Sequence, residues 1–169
     1  METAKQKSPF WTFSLTIYGK PGVPPACLTL QDGSGVDVNV FLFALYVASE
    51  GRQLTPDDMA RIMASIDPWK VSAVVPLRGV RRYLKDLPAG FEAAGIEELR
   101  KRVKAVELES ERLQQETLFA LWPAANLGQA CAPAQAGPAN VRAYEQALKT
   151  TFDAAAVSAL LSAFNSIME

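Results

Sequence analysis

The polar side chains best suited to act on a ligand form two groups. The first surrounds two glycines ahead of an apolar run and comprises Gln31, Asp32, Asp37 and Asn39. The second comprises Arg78, Arg81, Arg82 and Lys85, a spacing that stacks these residues on one side of a helix. Arginine suits phosphate and carboxylate groups, and carboxylates suit Mg²⁺ or Mn²⁺. Convergence of the two groups would create a site for an anionic, phosphate-containing molecule, or for a carboxylate-metal-dependent enzyme.

Both groups also have a purely structural interpretation. Aspartate and asparagine are favoured at helix caps and turns, and Asp37 would occupy and repel anions at the helix N-terminus that follows it. The basic residues lie in the strongest local charge asymmetry of the chain, and charge runs usually face water. We therefore expect capping from the first group and a solvated face from the second, with an internal ion network or an anionic ligand as alternatives.

A third group of carboxylates lies on a predicted long helix. Glu107 and Glu111 are one turn apart, so with Asp32 and Asp37 they are the alternative metal ligands. Bundle metal sites usually add a Glu-x-x-His motif, and this chain contains no histidine. We therefore predict no cofactor, and ion pairs instead: Glu107 with Lys104, or Glu111 with Arg78 or Arg81.

The lack of histidine restricts the possible chemistry further. Serine and cysteine nucleophiles usually need an imidazole base, and zinc, copper and haem sites usually need an imidazole ligand. Three possibilities are left for the function: acid–base catalysis by a carboxylate or a lysine, catalysis by a metal ion held by carboxylates, or no catalysis. We favour a protein that is not an enzyme.

The elements that must position these residues are helices. Cap and proline signals predict helices over Pro9–Tyr18, from Pro24 to Gln31, and from Asp37 to Glu50. The next predicted helix runs from Thr55 to Ile66, and a new one starts at Asp67-Pro68-Trp69 and breaks or kinks at Pro76. Four more helices are predicted, over residues 77–87, 96–121, 139–150 and 153–168.

The long helix carries a repeat with alternating spacings of four and three, which is typical of a bundle seam. Its members are Leu99, Val103, Val106, Ser110, Leu113, Thr117 and Ala120. We expect an all-α, single-domain, irregular bundle of about seven or eight helices. Its divisions are a core over residues 8–122, a linker over 123–138 rich in alanine, glycine and proline, and a C-terminal helical hairpin over 139–168, packed on the core or in a dimer.

Motifs in the first third of the chain resemble a known family. They are Phe10-Trp11-x-Phe13-Ser14, Pro21-Gly22-Val23, Ala26-Cys27-Leu28-x-Leu30-Gln31-Asp32 and Asp37-Val38-Asn39, followed by an apolar helix. This set is similar to that of an uncharacterised family of small, all-helical bacterial proteins, a domain of unknown function. The resemblance covers roughly residues 8–122 and implies a fold but no reaction. The residues that it carries over are Trp11, Gln31, Asp32, Asp37, Asn39, Arg78 and Arg82.

Composition narrows the function classes. The chain has 169 residues, 49% of them hydrophobic, and a formal net charge of −1, so nothing draws it as a whole to nucleic acid or to anionic membranes. The longest apolar run is too short to span a bilayer. The polar start, Met1 to Lys7, and the two isolated cysteines favour the cytoplasm. The leading hypothesis is a non-catalytic helical interaction or adaptor protein with a protein partner or self-association. Anionic-ligand binding is the alternative, and nucleic-acid binding through residues 70–104 is the third hypothesis.

Overall fold

A computed structural model describes residues 7–86 and 88–169 and shows an all-α, single-domain fold. Residues 1–6, most of the polar segment used to predict the compartment, lie outside the described residues. The helices are α1 (Pro9–Tyr18), α2 (Val23–Ser34), α3 (Val38–Ser49), α4 (Pro56–Trp69), α5 (Val75–Lys85), α6 (Ala93–Ala125), α7 (Pro133–Leu148) and α8 (Ala154–Met168). Two short strands, β1 (Arg52–Gln53) and β2 (Gln129–Ala130), pair antiparallel.

Side-chain caps set the start of several helices, as the sequence predicts. Ser8 Oγ accepts from the backbone N–H of Trp11, and Asp37 accepts from the N–H groups of Asn39 and Val40. Thr55 forms a capping box with Asp58. Each cap satisfies backbone donors that have no partner inside the helix, which is why these short polar residues begin helices.

Helix α3 is the centre of the core, since every residue from Asn39 to Ala48 is buried. Phe10 of α1 packs edge-on against Phe43, with ring centroids 5.2 Å apart. Helices α1, α6 and α7 all contact α3. The apolar run that follows Asp37 is thus a buried helix, as expected from its composition.

The segment from α4 to α5 is one continuous helical stretch, so the predicted new start at Asp67-Pro68-Trp69 is wrong. Pro68 lies inside α4, and a π-helical segment, Lys70–Val74, connects α4 to α5. Prolines lack the N–H that a regular helix requires, and a wider turn between Pro68 and Pro76 accommodates both rings within a helical path. The predicted end at Leu87 lies outside the described residues.

The predicted seam of α6 is also wrong. Val106 is 55% exposed, Leu99 46% and Leu113 38%, and only Ser110 of the seam is buried. The face of α6 that packs inward instead carries Glu107, Ser110, Gln114, Gln115 and Leu118. Three of these five side chains, Glu107, Gln114 and Gln115, are held by hydrogen bonds to α5 or to the first residues of α3 and its cap.

Residues 123–138 are not an irregular linker. Helix α6 continues to Ala125, β2 pairs with β1, and α7 begins at Pro133 with Pro138 inside it. Asn140 is fully buried and fastens this region: it accepts from the Leu54 N–H at 2.7 Å and donates to the Ala44 carbonyl oxygen at 2.9 Å. Helices α7 and α8 then pack on α3 and α2. In the described residues, no helix has the length and apolar character needed to cross a membrane.

Candidate functional site

A cleft of about 360 Å³ lies where α1, α2, α3, the Lys70–Val74 segment, α5 and α6 meet. One wall is largely apolar and consists of Trp11, Leu15, Tyr18, Cys27 and Leu28. Burial raises the pKa of the Cys27 thiol to about 11, so this group is neutral at physiological pH.

The opposite wall is cationic. Five basic side chains line the cleft, namely Lys70, Arg78, Arg81, Arg82 and Lys104. Three acidic side chains line it as well, namely Asp37, Glu107 and Glu111. When Asp32, which lies just outside the lining and pairs with Arg82, is counted as well, one positive charge is in excess, and this favours a ligand with a negative charge.

Helices α5 and α6 are joined by an ion network on this wall. The Nε of Arg78 donates to Glu107 Oε1 at 3.3 Å, and its Nη2 donates to Glu111 Oε1 at 3.0 Å. The Nε of Arg81 also donates to Glu107. The predicted pair of Glu111 with Arg78 is confirmed, whereas Glu107 pairs with the two arginines instead of Lys104.

Burial raises the pKa of Glu111 even though Arg78 acts in the opposite direction. The charges of Glu107 and Asp37 add to this rise. Glu111 is therefore the acidic group of the cleft that takes up a proton more readily than an exposed glutamate does.

A chain of four polar side chains forms the floor. Asp37 Oδ1 caps α3, and Asp37 Oδ2 accepts from Gln114 Nε2 at 2.7 Å. Gln114 Oε1 accepts from Asn39 Nδ2 at 3.2 Å, and Asn39 Oδ1 accepts from Gln115 Nε2 at 2.8 Å. The expected capping role of Asp37 is confirmed, and its second oxygen anchors this relay.

Three buried polar atoms beside the cleft have no hydrogen-bond partner among the described residues. They are Trp11 Nε1, Ser14 Oγ and Gln115 Oε1, and all three residues line the cleft. Ser14 is 3% exposed and Gln115 5%, so bulk water does not supply the missing partners. A buried polar group without a partner costs about 1–3 kcal/mol, which makes such a concentration at one place informative.

The structure brings most of the predicted site residues together. Gln31, Asp37, Asn39, Arg78, Arg81 and Arg82 all line the cleft. Asp32 lies outside its lining, half-exposed, and accepts from Arg82 Nη2 at 3.0 Å. Lys85 is exposed and also lies outside the lining.

The alternative metal ligands do not form one cluster. Asp32 pairs with Arg82, Asp37 uses both oxygens in hydrogen bonds, and Glu107 is held by Arg78 and Arg81. Within residues 7–86 and 88–169, no group of three or more acidic or cysteine side chains is arranged to hold a metal ion.

Sequence reasoning missed Ser14, Gln114 and Gln115 as site residues. Gln114 shares a helix face with Glu107 and Glu111, at spacings of three and seven, and that polar face was the available signal. The apolar repeat on the neighbouring face of α6 suggested instead that the apolar face packs inward, and the polar face was therefore overlooked.

Comparison with known proteins gives a family. No curated protein and no solved structure matches the chain. A family model described as "Protein of unknown function (DUF2390)" matches residues 9–118, which include every residue that lines the cleft. The chain therefore belongs to the DUF2390 family.

Proposed function

We propose that this protein binds a small anionic molecule with an apolar part in the cleft. The observation that carries the proposal is that three buried polar atoms, in Trp11, Ser14 and Gln115, lack a hydrogen-bond partner among the described residues, and that all three residues line the same cleft. A fold gains nothing from three such groups at one place, whereas a ligand supplies the partners that they lack.

The charge of the cleft supports an anionic ligand. Lys70 and Lys104 form no ion pair with the described residues, so their positive charges are available to a ligand. The arginines beside them are oriented by Glu107 and Glu111, and a fixed guanidinium binds phosphate or carboxylate at a smaller entropic cost.

The ligand has to open the cleft slightly. The three unpartnered atoms are covered in this conformation, so access requires a small displacement of α1 from α6. Among the residues that the structure describes, one hydrogen bond joins the start of α1 to α6, from the Ser8 N–H to Glu116 Oε1 at 3.3 Å. Breaking this bond costs little, but Phe10 and Ile17 of α1 are fully buried, so the displacement has to be small enough to keep their packing in the core.

Ser14→Ala is the sharpest test, because binding and folding should respond in opposite directions. Removing an unpartnered buried hydroxyl should raise the free energy of unfolding by about 1 kcal/mol. The same change should weaken retention of a ligand that native mass spectrometry detects on protein purified from its own cells. Ser158→Ala, at an exposed position of α8, is the matched control.

Two results would count against the proposal. One is a wild-type protein that carries no extra mass under native conditions, even after incubation with the small-molecule fraction of its own cell extract. The other is a Ser14→Ala protein that is destabilised and retains its ligand, since this would make the hydroxyl a structural group.

Self-association is a second candidate function, and it is the part of the interaction hypothesis that an observation favours. Leu99, Val106 and Leu113 form an exposed seven-residue repeat along α6. Residues 99–106 of this helix carry four basic and no acidic side chains, and residues 107–116 carry four acidic side chains and one basic one, so an antiparallel second copy would be complementary in charge. Sedimentation velocity of Val106→Glu tests it: a wild-type dimer that the variant abolishes supports this function, and a wild-type monomer refutes it.

The other expectations stay predictions. Cytoplasmic residence and the lack of a nucleic-acid partner rest on composition alone. A carboxylate-metal enzyme finds less support than binding does, because Asp37 and Glu107 already use their carboxylate oxygens within the protein.

A further inference from the structure

The hydrogen-bond relay on the cleft floor has a fixed direction. An ionised carboxylate only accepts, so the side chain that faces Asp37 Oδ2 must present its amide N–H₂, and this is Gln114 Nε2. The oxygen of Gln114 then faces Asn39 and accepts from it. Asn39 in turn presents its oxygen to Gln115 Nε2.

This direction decides what the cleft offers to a ligand. Since the N–H₂ group of Gln115 donates to Asn39, the atom left without a partner is the acceptor Gln115 Oε1. On the facing helix, Trp11 Nε1 is a donor and cannot accept. The bond from the Ser8 N–H to Glu116 brings the first turn of α1 beside the turn of α6 that carries Gln115.

We infer that the ligand carries, besides its anionic group, a neutral edge with an N–H or O–H donor for Gln115 Oε1 and an acceptor for Trp11 Nε1. Carboxamides, lactams and nucleobases have such edges. An ionised fatty acid offers only acceptors and leaves Gln115 unsatisfied. This inference rests on the proposed function and specifies its ligand class.

Asp37→Asn tests the direction of the relay. Asparagine also caps helices well, so the start of α3 is retained. Its amide group, however, can donate where Asp37 Oδ2 accepts, which allows Gln114, Asn39 and Gln115 to reverse in turn. Gln115 would then present N–H₂ to the ligand. Asp32→Asn removes the same charge outside the relay and is the matched control.

The probes are pairs of acids that keep a carbonyl acceptor for Trp11 Nε1 and differ in one ring atom, such as the lactam oxindole-3-acetate and its lactone isostere, 2-oxo-1-benzofuran-3-acetate. The first has a ring N–H where the second has an acceptor oxygen. Titration of ¹⁵N-labelled protein, followed at the Trp11 indole N–H, gives the affinity of each for the cleft. We expect the N–H members to bind wild type and Asp32→Asn about tenfold more tightly than their isosteres. In Asp37→Asn this ratio should fall to about one or reverse.

Each outcome has a distinct meaning. Equal affinities within the pairs for wild type, or an unchanged ratio in Asp37→Asn, would overturn the inference and leave the proposed function intact. Failure of all the probes to shift the Trp11 resonance would contradict the proposed function itself, and the inference with it.

Discussion

Asp37→Ala is the substitution whose effect on stability tests the cleft floor most strictly. Asp37 has two tasks: one carboxylate oxygen caps α3, and the other accepts from Gln114. Loss of an N-cap costs about 1 kcal/mol of unfolding free energy. Leaving the buried Gln114 amide without its acceptor adds about 1–3 kcal/mol. The expected destabilisation is therefore about 2–4 kcal/mol.

Asp153→Ala is the matched control within the same chain. Asp153 caps α8 by accepting from the Ala156 N–H at 2.8 Å, is exposed, and anchors no relay, so its loss should cost about 1 kcal/mol. Urea unfolding followed by circular dichroism at 222 nm measures both variants. If Asp37→Ala costs no more than Asp153→Ala, then Gln114 does not depend on Asp37, and the fixed direction of the relay is refuted.

Three further predictions concern packing, reactivity and pH. A Cβ on Gly137 would lie 2.9 Å from Phe164, so Gly137→Ala should lower the free energy of unfolding by about 1–3 kcal/mol in urea titrations. Gly33 has open space around it, so Gly33→Ala should instead raise the free energy of unfolding by about 0.5–1 kcal/mol. Equal effects of the two substitutions would contradict the packing of α7 on α8. The Cys27 thiol, buried and with a raised pKa, should resist iodoacetamide at neutral pH until the protein unfolds, and rapid alkylation of folded protein would refute its burial. Protonation of Glu111 removes a negative charge from the cleft, so the affinity for anionic probes should increase as the pH falls through its raised pKa; titrations of Glu111→Gln that show the same pH dependence would contradict this assignment.

The parts of this fold that the sequence predicted are those that local rules decide. Ser8, Asp37 and Thr55 begin helices because each satisfies backbone donors within its own turn. The pair of Glu111 with Arg78 was predictable from the facing charges of two amphipathic segments. The caps required no knowledge of which helices pack together, and the ion pair required only that α5 and α6, which are neighbours in the chain, lie side by side.

The parts that it did not predict depend on tertiary contacts. The inward face of α6 is polar because Gln114 and Gln115 find partners on α3, and hydrophobic periodicity contains no information about such partners. Likewise, residues 123–138 have the composition of a loop, but Asn140 and the β1–β2 pair order the backbone there.

The indole N–H resonance of Trp11 gives the most direct test of the cleft as a ligand site. Trp69 serves as an internal control, because its Nε1 already donates to the Ser110 carbonyl oxygen at 3.0 Å and neither residue belongs to the cleft lining. When the small-molecule fraction of the protein's own cell extract is added to ¹⁵N-labelled protein, we expect the Trp11 resonance to move downfield as its N–H gains an acceptor, and the Trp69 resonance to stay in place. A Trp11 resonance that does not move in wild-type protein would contradict the account of this cleft as a binding site.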